Sequence, residues 1–424
     1  MSKRTRHILA ASLAGTSIEF FDFYIYATAA SLVFGSLFFP KVSVPAQLMA
    51  AYATFVLAFV ARPLGAVVFG HFGDRIGRKS TLVSALLLMG GSTVAIGFLP
   101  TYQLVGWLAP LMLCVLRFGQ GFGLGGEWGG AALLAVENAP RGYRARYGMF
   151  PPLGAPLGFF AANAVFLLLG LLLPKGDFIT FGWRLPFIGS AALVWVGLWV
   201  RLKLTETPDF KRALEQAPPS AVPMFELLRD YPREVTAGLF AVVGCFALFY
   251  LTTVFALGYA TKTLGYDRDQ FLAVQLLASA CMAGGIVISG FWADRSGTRF
   301  VLMLGSVAIF ASGLLYAPAL QSGSLVIVTI YLCAAQTLMG IAYGPLGAWL
   351  PSLFPPRVRY TGVSIAFNTG GILGGAVTPI LAESLARASG GLLLVGAYLC
   401  LAAVVSFSAL AGLRKQGLGV FQGR

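Results

Sequence analysis

Ionisable side chains are what this 424-residue chain has least of. Asp, Glu, Lys and Arg make up 11% of it, against about 25% in a soluble domain. With 58% hydrophobic residues and a mean hydropathy of +0.80, that scarcity excludes the soluble globular class. Between Arg299 and Arg357 there is no Asp, Glu, Lys or Arg at all, room for two spans at about 20 residues each, divided by a turn at "APALQSGS". Histidine is limited to His7 and His71, both near expected helix ends. An enzyme needs nucleophile, base or metal ligands gathered in a cavity, so no enzyme, metal site or cofactor is expected. The five cysteines, Cys114, Cys245, Cys281, Cys333 and Cys400, are odd in number and show no paired spacing; they read as packing residues rather than disulfides.

What is present is a series of long apolar runs. Repeating the same reading along the chain predicts an all-α polytopic membrane protein of twelve transmembrane helices. The first six cover roughly residues 8–39, 46–71, 80–99, 104–136, 147–173 and 183–202. The second six cover roughly 235–261, 271–292, 300–320, 324–350, 361–385 and 391–413. Spanning β-barrels do not fit, because their strands are about ten residues long and alternate polar with apolar. Lys3, Arg4 and Arg6 precede a full-length span that carries two acids, so the start reads as a retained first helix rather than a cleaved signal.

A net charge of +14 raises nucleic acid as a partner, and the placement of the charges argues against it. With a cytoplasmic N-terminus, 22 of the 30 Lys and Arg fall on the inner side and six on the outer, with Arg62 and Arg117 inside spans. This is the positive-inside asymmetry, and it predicts both termini in the cytoplasm. The inner tally includes six charges of the loop after helix 6, Arg201 among them.

The chain repeats itself. "GHFGDRIGRKSTLV" follows helix 2 and "GFWADRSGTRFVLM" follows helix 8, with Asp74, Arg75 and Gly77 each 220 positions before Asp294, Arg295 and Gly297. "PRGYRARYG" after helix 4 is echoed by "PPRVRYTG" after helix 10. A duplicated six-helix unit is a common plan of secondary transporters, with the site at the interface between repeats. The expected organisation is an N-terminal bundle over 1–203, a cytoplasmic linker over 204–234 and a C-terminal bundle over 235–424. Within the linker, Thr207 before Pro208 suits a helix start, and "MFELL" reads as a short interfacial helix.

The loop "GDRIGRK" resembles the signature of the major facilitator superfamily. More narrowly, "EFFDFYIY", "ARPLGAVVFGHFGDRIGRK", "RFGQGFGLGGEWGGAALLAVENAP", "GWRLPF" and "LFPPRVRYTG" resemble the metabolite:proton symporters of that superfamily, with "GGEWGGAALL" nearest to shikimate permeases. The resemblance spans nearly the whole chain. It implies two pseudo-symmetric six-helix bundles, placement in a bacterial inner membrane and proton coupling. It also implies a gate in which Asp74 faces the start of helix 11 at Thr361 and Gly362, as an anion faces a helix N-terminus. Asp74, Arg75, Arg78 and Lys79, with Asp294 and Arg295 of the second copy, are the gating candidates, and Glu137 and Arg141 after helix 4 join them. Thr298 leaves the second loop one positive charge short, which predicts a weaker part in gating.

Acids in a membrane span cost about 2.5 to 3.5 kcal/mol each on insertion scales and mark functional positions. Glu19, Asp22 and Tyr26 are spaced i, i+3, i+7 on one face of helix 1. Arg117, Gln120, Leu124, Glu127 and Trp128 form a comparable face of helix 4, where a run of glycines permits close approach. The two faces are expected to meet or to line a cavity. Glu19, Asp22 and Glu127 are the proton-coupling candidates. Arg117 is expected to hold an anionic substrate group or a deprotonated acid, with a permanent arginine–carboxylate lock as the alternative. The second half has almost no charge in its spans, so Tyr250, Gln275, Gln336, Tyr343 and Asn368, with Tyr26, Gln120 and Asn163, are the neutral substrate-binding candidates.

The spacing from Gly73 to Gly77 is one residue short of a phosphate-binding G-x-x-x-x-G-K loop and no strand precedes it, so the expected energy source is an ion gradient. The favoured reading is a proton-coupled symporter, acting as a monomer in the lipid bilayer and importing a small carboxylate-bearing metabolite by alternating access. An exporter or exchanger of metabolites or drugs on the same fold is the alternative, and a membrane enzyme or receptor a third.

Overall fold

The computed structural model describes residues 3–202 and 222–413. Twelve helices there are long and apolar enough to cross a membrane. In chain order they are α1 (Ser12–Phe38), α2 (Val56–Arg75), α3 (Lys79–Gly97), α4 (Leu108–Glu137), α5 (Arg144–Leu172) and α6 (Phe178–Leu202), then α7 (Pro232–Thr261), α8 (Gln270–Ser296), α9 (Thr298–Leu320), α10 (Leu325–Ser352), α11 (Arg359–Ser389) and α12 (Leu393–Gly412). The expected order and number hold, with ends displaced by a few residues.

Each half is built from the same pairings. In the first, α1 packs on α5, α2 on α4 and α3 on α6; in the second, α7 packs on α11, α8 on α10 and α9 on α12. Glycines set these contacts, since helices without a hydrophobic driving force between them associate by close backbone approach. A Cβ on Gly125 would lie 2.1 Å from the Arg62 carbonyl oxygen, and one on Gly340 would lie 2.3 Å from that of Met282. The bundles meet along α2 against α11, α4 against α11 and α5 against α8.

Three spans contain a wider π-helical turn at mid-length or beyond: Ala30–Phe34 in α1, Leu251–Phe255 in α7 and Ile372–Ala376 in α11. Such turns free carbonyl groups and gather at functional sites. The α7 turn is satisfied from within its own bundle. The Gln275 side-chain amide donates to the carbonyls of Thr252 at 3.1 Å and Thr253 at 2.6 Å, and the Gln336 amide donates to the Thr252 hydroxyl at 2.9 Å.

Residues 203–221, including the Thr207–Pro208 helix start, lie outside the described residues. The rest of the expected linker contains the helix Pro223–Asp230, with proline at its first turn, Leu227 buried and Phe225 and Leu228 exposed. That amphipathic pattern suits an interfacial position. Glu226 of this helix forms an ion pair with Arg357 before α11.

Candidate substrate and proton site

The expected faces of α1 and α4 meet. The two helices run antiparallel, so the order of polar residues reverses: Arg117 lies over the Tyr26 ring at 3.9 Å, the Gln120 amide donates to the Asp22 carbonyl at 3.2 Å, and Glu19 lies within electrostatic reach of Glu127. Glu19, Asp22, Arg117, Gln120 and Glu127 are all 4% exposed or less. The three rungs differ in kind, and each has its own surroundings.

The Asp22 rung faces the interior of the first bundle. Its Oδ1 accepts a hydrogen bond from Ser190 of α6 at 2.6 Å, and Gln120 also donates to Thr93 of α3 at 2.8 Å. Tyr26 exchanges a 2.5 Å hydrogen bond with Thr54, and Arg117 donates to the Gln120 side-chain oxygen. None of Glu19, Asp22 and Glu127 forms an ion pair with Arg117 among the described residues, so the expected arginine–carboxylate contact is absent in this conformation.

The cation that pairs with an acid is Arg201. Its guanidinium binds Glu127 through two contacts, 2.8 Å to Oε1 and 2.5 Å to Oε2, and donates to the Leu82 carbonyl at 2.7 Å. Arg201 is 3% exposed. Counting it among loop charges is therefore a misreading: it stands in the last turn of α6 and turns inward between α1, α3 and α4. The space it uses is left by Gly15, where a Cβ would be 2.5 Å from its Nη2. Glu19 is close enough to feel Glu127, Arg62 and Arg201, yet its Oε2 has no hydrogen-bond partner.

Arg62 is the second residue that the sequence reading left without a role. It is 7% exposed, and its guanidinium stands over Phe23 at 4.5 Å and Phe59 at 4.6 Å. Phe59 in turn meets the Tyr250 ring of α7 edge-on at 5.9 Å. From the facing bundle come Tyr343, whose buried hydroxyl lies beside the Trp128 indole, and Phe367, stacked on Trp128 at 3.6 Å with an interplanar angle of 4°. Aromatic pairs of this kind contribute about 0.5–1.5 kcal/mol beyond burial. The signal for Arg62 was visible as the "RP" of an otherwise apolar span.

Of the neutral candidates, Tyr250 and Tyr343 stand at the bundle interface near Arg62 and Glu19. The amide donors of Gln275 and Gln336 serve α7, leaving Gln336 Oε1 buried and open. Asn368 bridges the bundles, donating to the Gly125 carbonyl at 3.0 Å and to Ser364 in its own helix at 2.8 Å. Asn163, half-buried, donates to the Phe159 carbonyl one turn back at 2.9 Å.

The end carrying the repeated loops is held shut by cross-bundle contacts. Asp74 accepts from the backbone N–H groups of Tyr360 and Thr361, both at 3.0 Å, and from the Thr361 hydroxyl at 2.8 Å. It caps the start of α11, as expected. Asp294 does the reciprocal work on α5, accepting from the Ala145 N–H at 2.8 Å and pairing with Arg146 at 2.9 Å. The second loop thus forms its contact in spite of Thr298. Glu137 pairs with Arg359 at 3.2 Å, whereas Arg141 is exposed and makes no ion pair among the described residues. Arg75, exposed, contacts His71 at 3.1 Å, and Arg295 is exposed; Arg78 opens the helix of α3. Lys79 caps the end of α6 at the Leu202 carbonyl (2.6 Å), and Arg299, 220 positions on, caps α12 at Leu410 (2.8 Å) and Ala411 (2.9 Å).

Comparison with known proteins agrees with this architecture. The model of the Major Facilitator Superfamily matches residues 12–379. The inner membrane metabolite transport protein YhjE of Escherichia coli strain K12 is 47% identical over 408 residues, covering 95% of this chain and 92% of that protein. The shikimate transporter of the same organism is 35% identical, covering 90% and 88%. Among solved structures, the proton:xylose symporter XylE bound to 6-bromo-6-deoxy-D-glucose superposes with a TM-score of 0.75 over 97% of this chain and 95% of that one, at 15% identity, a likeness of fold. Two six-helix bundles closed by paired acidic loops, and relatives of this similarity that are metabolite transporters, lead to one conclusion: the chain belongs to the Major Facilitator Superfamily and is a membrane transporter of metabolites, not an enzyme.

Proposed function

We propose that the protein is a proton-coupled symporter that imports a small carboxylate-bearing metabolite across the bacterial inner membrane, with both termini in the cytoplasm. The observation that carries the reading is that Glu19 lies buried with no ion pair among the described residues: Arg201 is committed to Glu127, and Arg62, within electrostatic reach of Glu19, forms no ion pair with it. An ionised carboxylate removed from water without a partner is costly, and a proton on Glu19 removes that cost. A substrate anion arriving at the nearby interface adds a further negative charge and so favours the protonated form of Glu19. By linkage, the proton favours the anion to the same degree. Alternating access then carries both together, and the Asp74 and Asp294 contacts act as the cytoplasmic gate. Asp22, held by Ser190 inside the first bundle, is a second station for the proton. The Lys and Arg distribution supports the orientation.

A proton and a monoanion carried together move no net charge, so the pH difference drives uptake, with about tenfold accumulation per pH unit at about 1.4 kcal/mol per tenfold. The test is uptake by proteoliposomes across a panel of organic acids and zwitterions, with pH gradient and potential imposed separately. The expected result is acid-driven accumulation by the wild type that Glu19→Gln abolishes, while gradient-independent exchange survives. Accumulation by Glu19→Gln that still follows the pH gradient removes Glu19 from the proton role; transport of substrate against the proton flow replaces import by export.

A further inference from the structure

Resting on the reading of a carboxylate substrate, we propose that Arg62 is the residue that binds the substrate's carboxylate and that the site takes monocarboxylates in preference to di- and tricarboxylates. Among the described residues, three arginines are buried in the first bundle, and two have protein acceptors. Arg201 is held by Glu127 and the Leu82 carbonyl, and Arg117 donates to Gln120 and covers Tyr26. Arg62 makes no hydrogen bond and no ion pair among the described residues, although it is 7% exposed. What its guanidinium touches is ring faces, Phe23 and Phe59, with Tyr24, Tyr250 and Tyr343 and the charged groups Glu19 and Arg117 within electrostatic reach.

A guanidinium carries five N–H donors in a planar fork that matches a carboxylate through two parallel hydrogen bonds. Ring faces attract the cation and accept no strong hydrogen bonds, so the fork is held in place with its N–H donors unspent. Arg62 also stands where the halves meet, since Phe59 touches Tyr250 and a Cβ on Gly375 of α11 would lie 2.8 Å from Tyr250 and 3.6 Å from Phe59. An anion bound there touches both bundles. One uncommitted guanidinium answers one carboxylate. A second or third carboxylate would be desolvated among aromatic rings without a partner, the kind of mismatch that rejects a ligand.

The test is counterflow exchange in proteoliposomes, which needs no gradient, using labelled shikimate, 2-oxoglutarate, citrate and xylose on the wild type, Arg62→Gln and Arg62→Lys. The expected wild type exchanges the monocarboxylate far better than the other three. Arg62→Gln lowers that exchange about ten- to hundredfold, the worth of a charge-assisted hydrogen bond. Arg62→Lys keeps the charge without the fork and raises KM with little change in kcat, a split that a merely structural role would not produce. That split also decides the matter if Arg62→Gln fails to give a monodisperse protein. The proposal is overturned by unchanged KM in both variants, by wild-type exchange of dicarboxylate or tricarboxylate equal to that of shikimate, or by exchange of xylose alone or of nothing in the panel. Failure of a pH gradient to drive shikimate uptake defeats the proton coupling and leaves the Arg62 result standing.

Discussion

The two bundles share a scaffold and differ in chemistry. Gly125 and Gly340 make the same backbone contact with α2 and α8, at Arg62 and Met282. That contact fixes which residues correspond: Arg117 with Leu332, Gln120 with Ala335 and Glu127 with Ala342. The π-helical turns beginning at Ala30 and Leu251 align α1 with α7 in the same way, setting Glu19 against Phe240, Asp22 against Val243 and Tyr26 against Ala247. At every one of these positions the first bundle is polar or charged and the second is apolar. Duplication therefore preserved the close helix contacts and concentrated the ionisable groups in one copy, leaving the other to supply rings and neutral donors.

The comparison can be broken most forcefully at Arg201. Arg201→Met leaves Glu127 buried without its partner and is expected to cost about 3–5 kcal/mol, read as a fall in the unfolding midpoint in detergent. Glu127→Leu added to it should restore most of the loss, since an apolar pair then matches what the second bundle has at Ala342. If the single change is neutral, the ion pair has no structural weight. A middle-sized effect tests the shared scaffold. Gly125→Ala and Gly340→Ala each place a methyl group against a carbonyl oxygen and should each destabilise by about 1–3 kcal/mol. Stability curves that differ widely between the two would argue against equivalent packing.

The smallest expected effect sharpens the comparison at the gate. Asp74→Ala and Asp294→Ala each remove a cap on the facing bundle, worth about 0.5–2 kcal/mol. Asp74 accepts from two backbone amides and a hydroxyl of α11, so its loss should shift the conformational equilibrium further than loss of Asp294. Distance distributions between spin labels on the loops after α2 and α10 would report the shift. Equal shifts would mean that Arg146 compensates fully for the smaller number of donors on Asp294.

The spans and loops were legible because long apolar runs and a 220-residue repeat report directly on chain organisation. The meeting of Glu19, Asp22 and Tyr26 with Arg117, Gln120 and Glu127 was legible too, since helical periodicity assigns residues to faces. Which partner each side chain chooses was not. That choice depends on the rotation and depth of helices that are distant in sequence, and a charge at a span end can turn toward water or inward. Arg201 turns inward because Gly15 leaves room on α1, a fact recorded far from Arg201 itself. Arg62 was visible as a charge in a span, but its surroundings of rings come from α1 and from the facing bundle.

The burial of Asp74 has a consequence for how the transporter responds to its surroundings. At 2% exposure, this seal between the halves lies beyond the reach of mobile ions, whose screening acts mainly on exposed charges. The Arg357 and Glu226 pair, nearer to solvent, will loosen as salt rises, while the Asp74 cap stays put. In the proposed orientation, with this end toward the cytoplasm and acting as the gate, its opening should depend little on internal salt, so that shrinkage or swelling of the cell leaves the transport rate where it was.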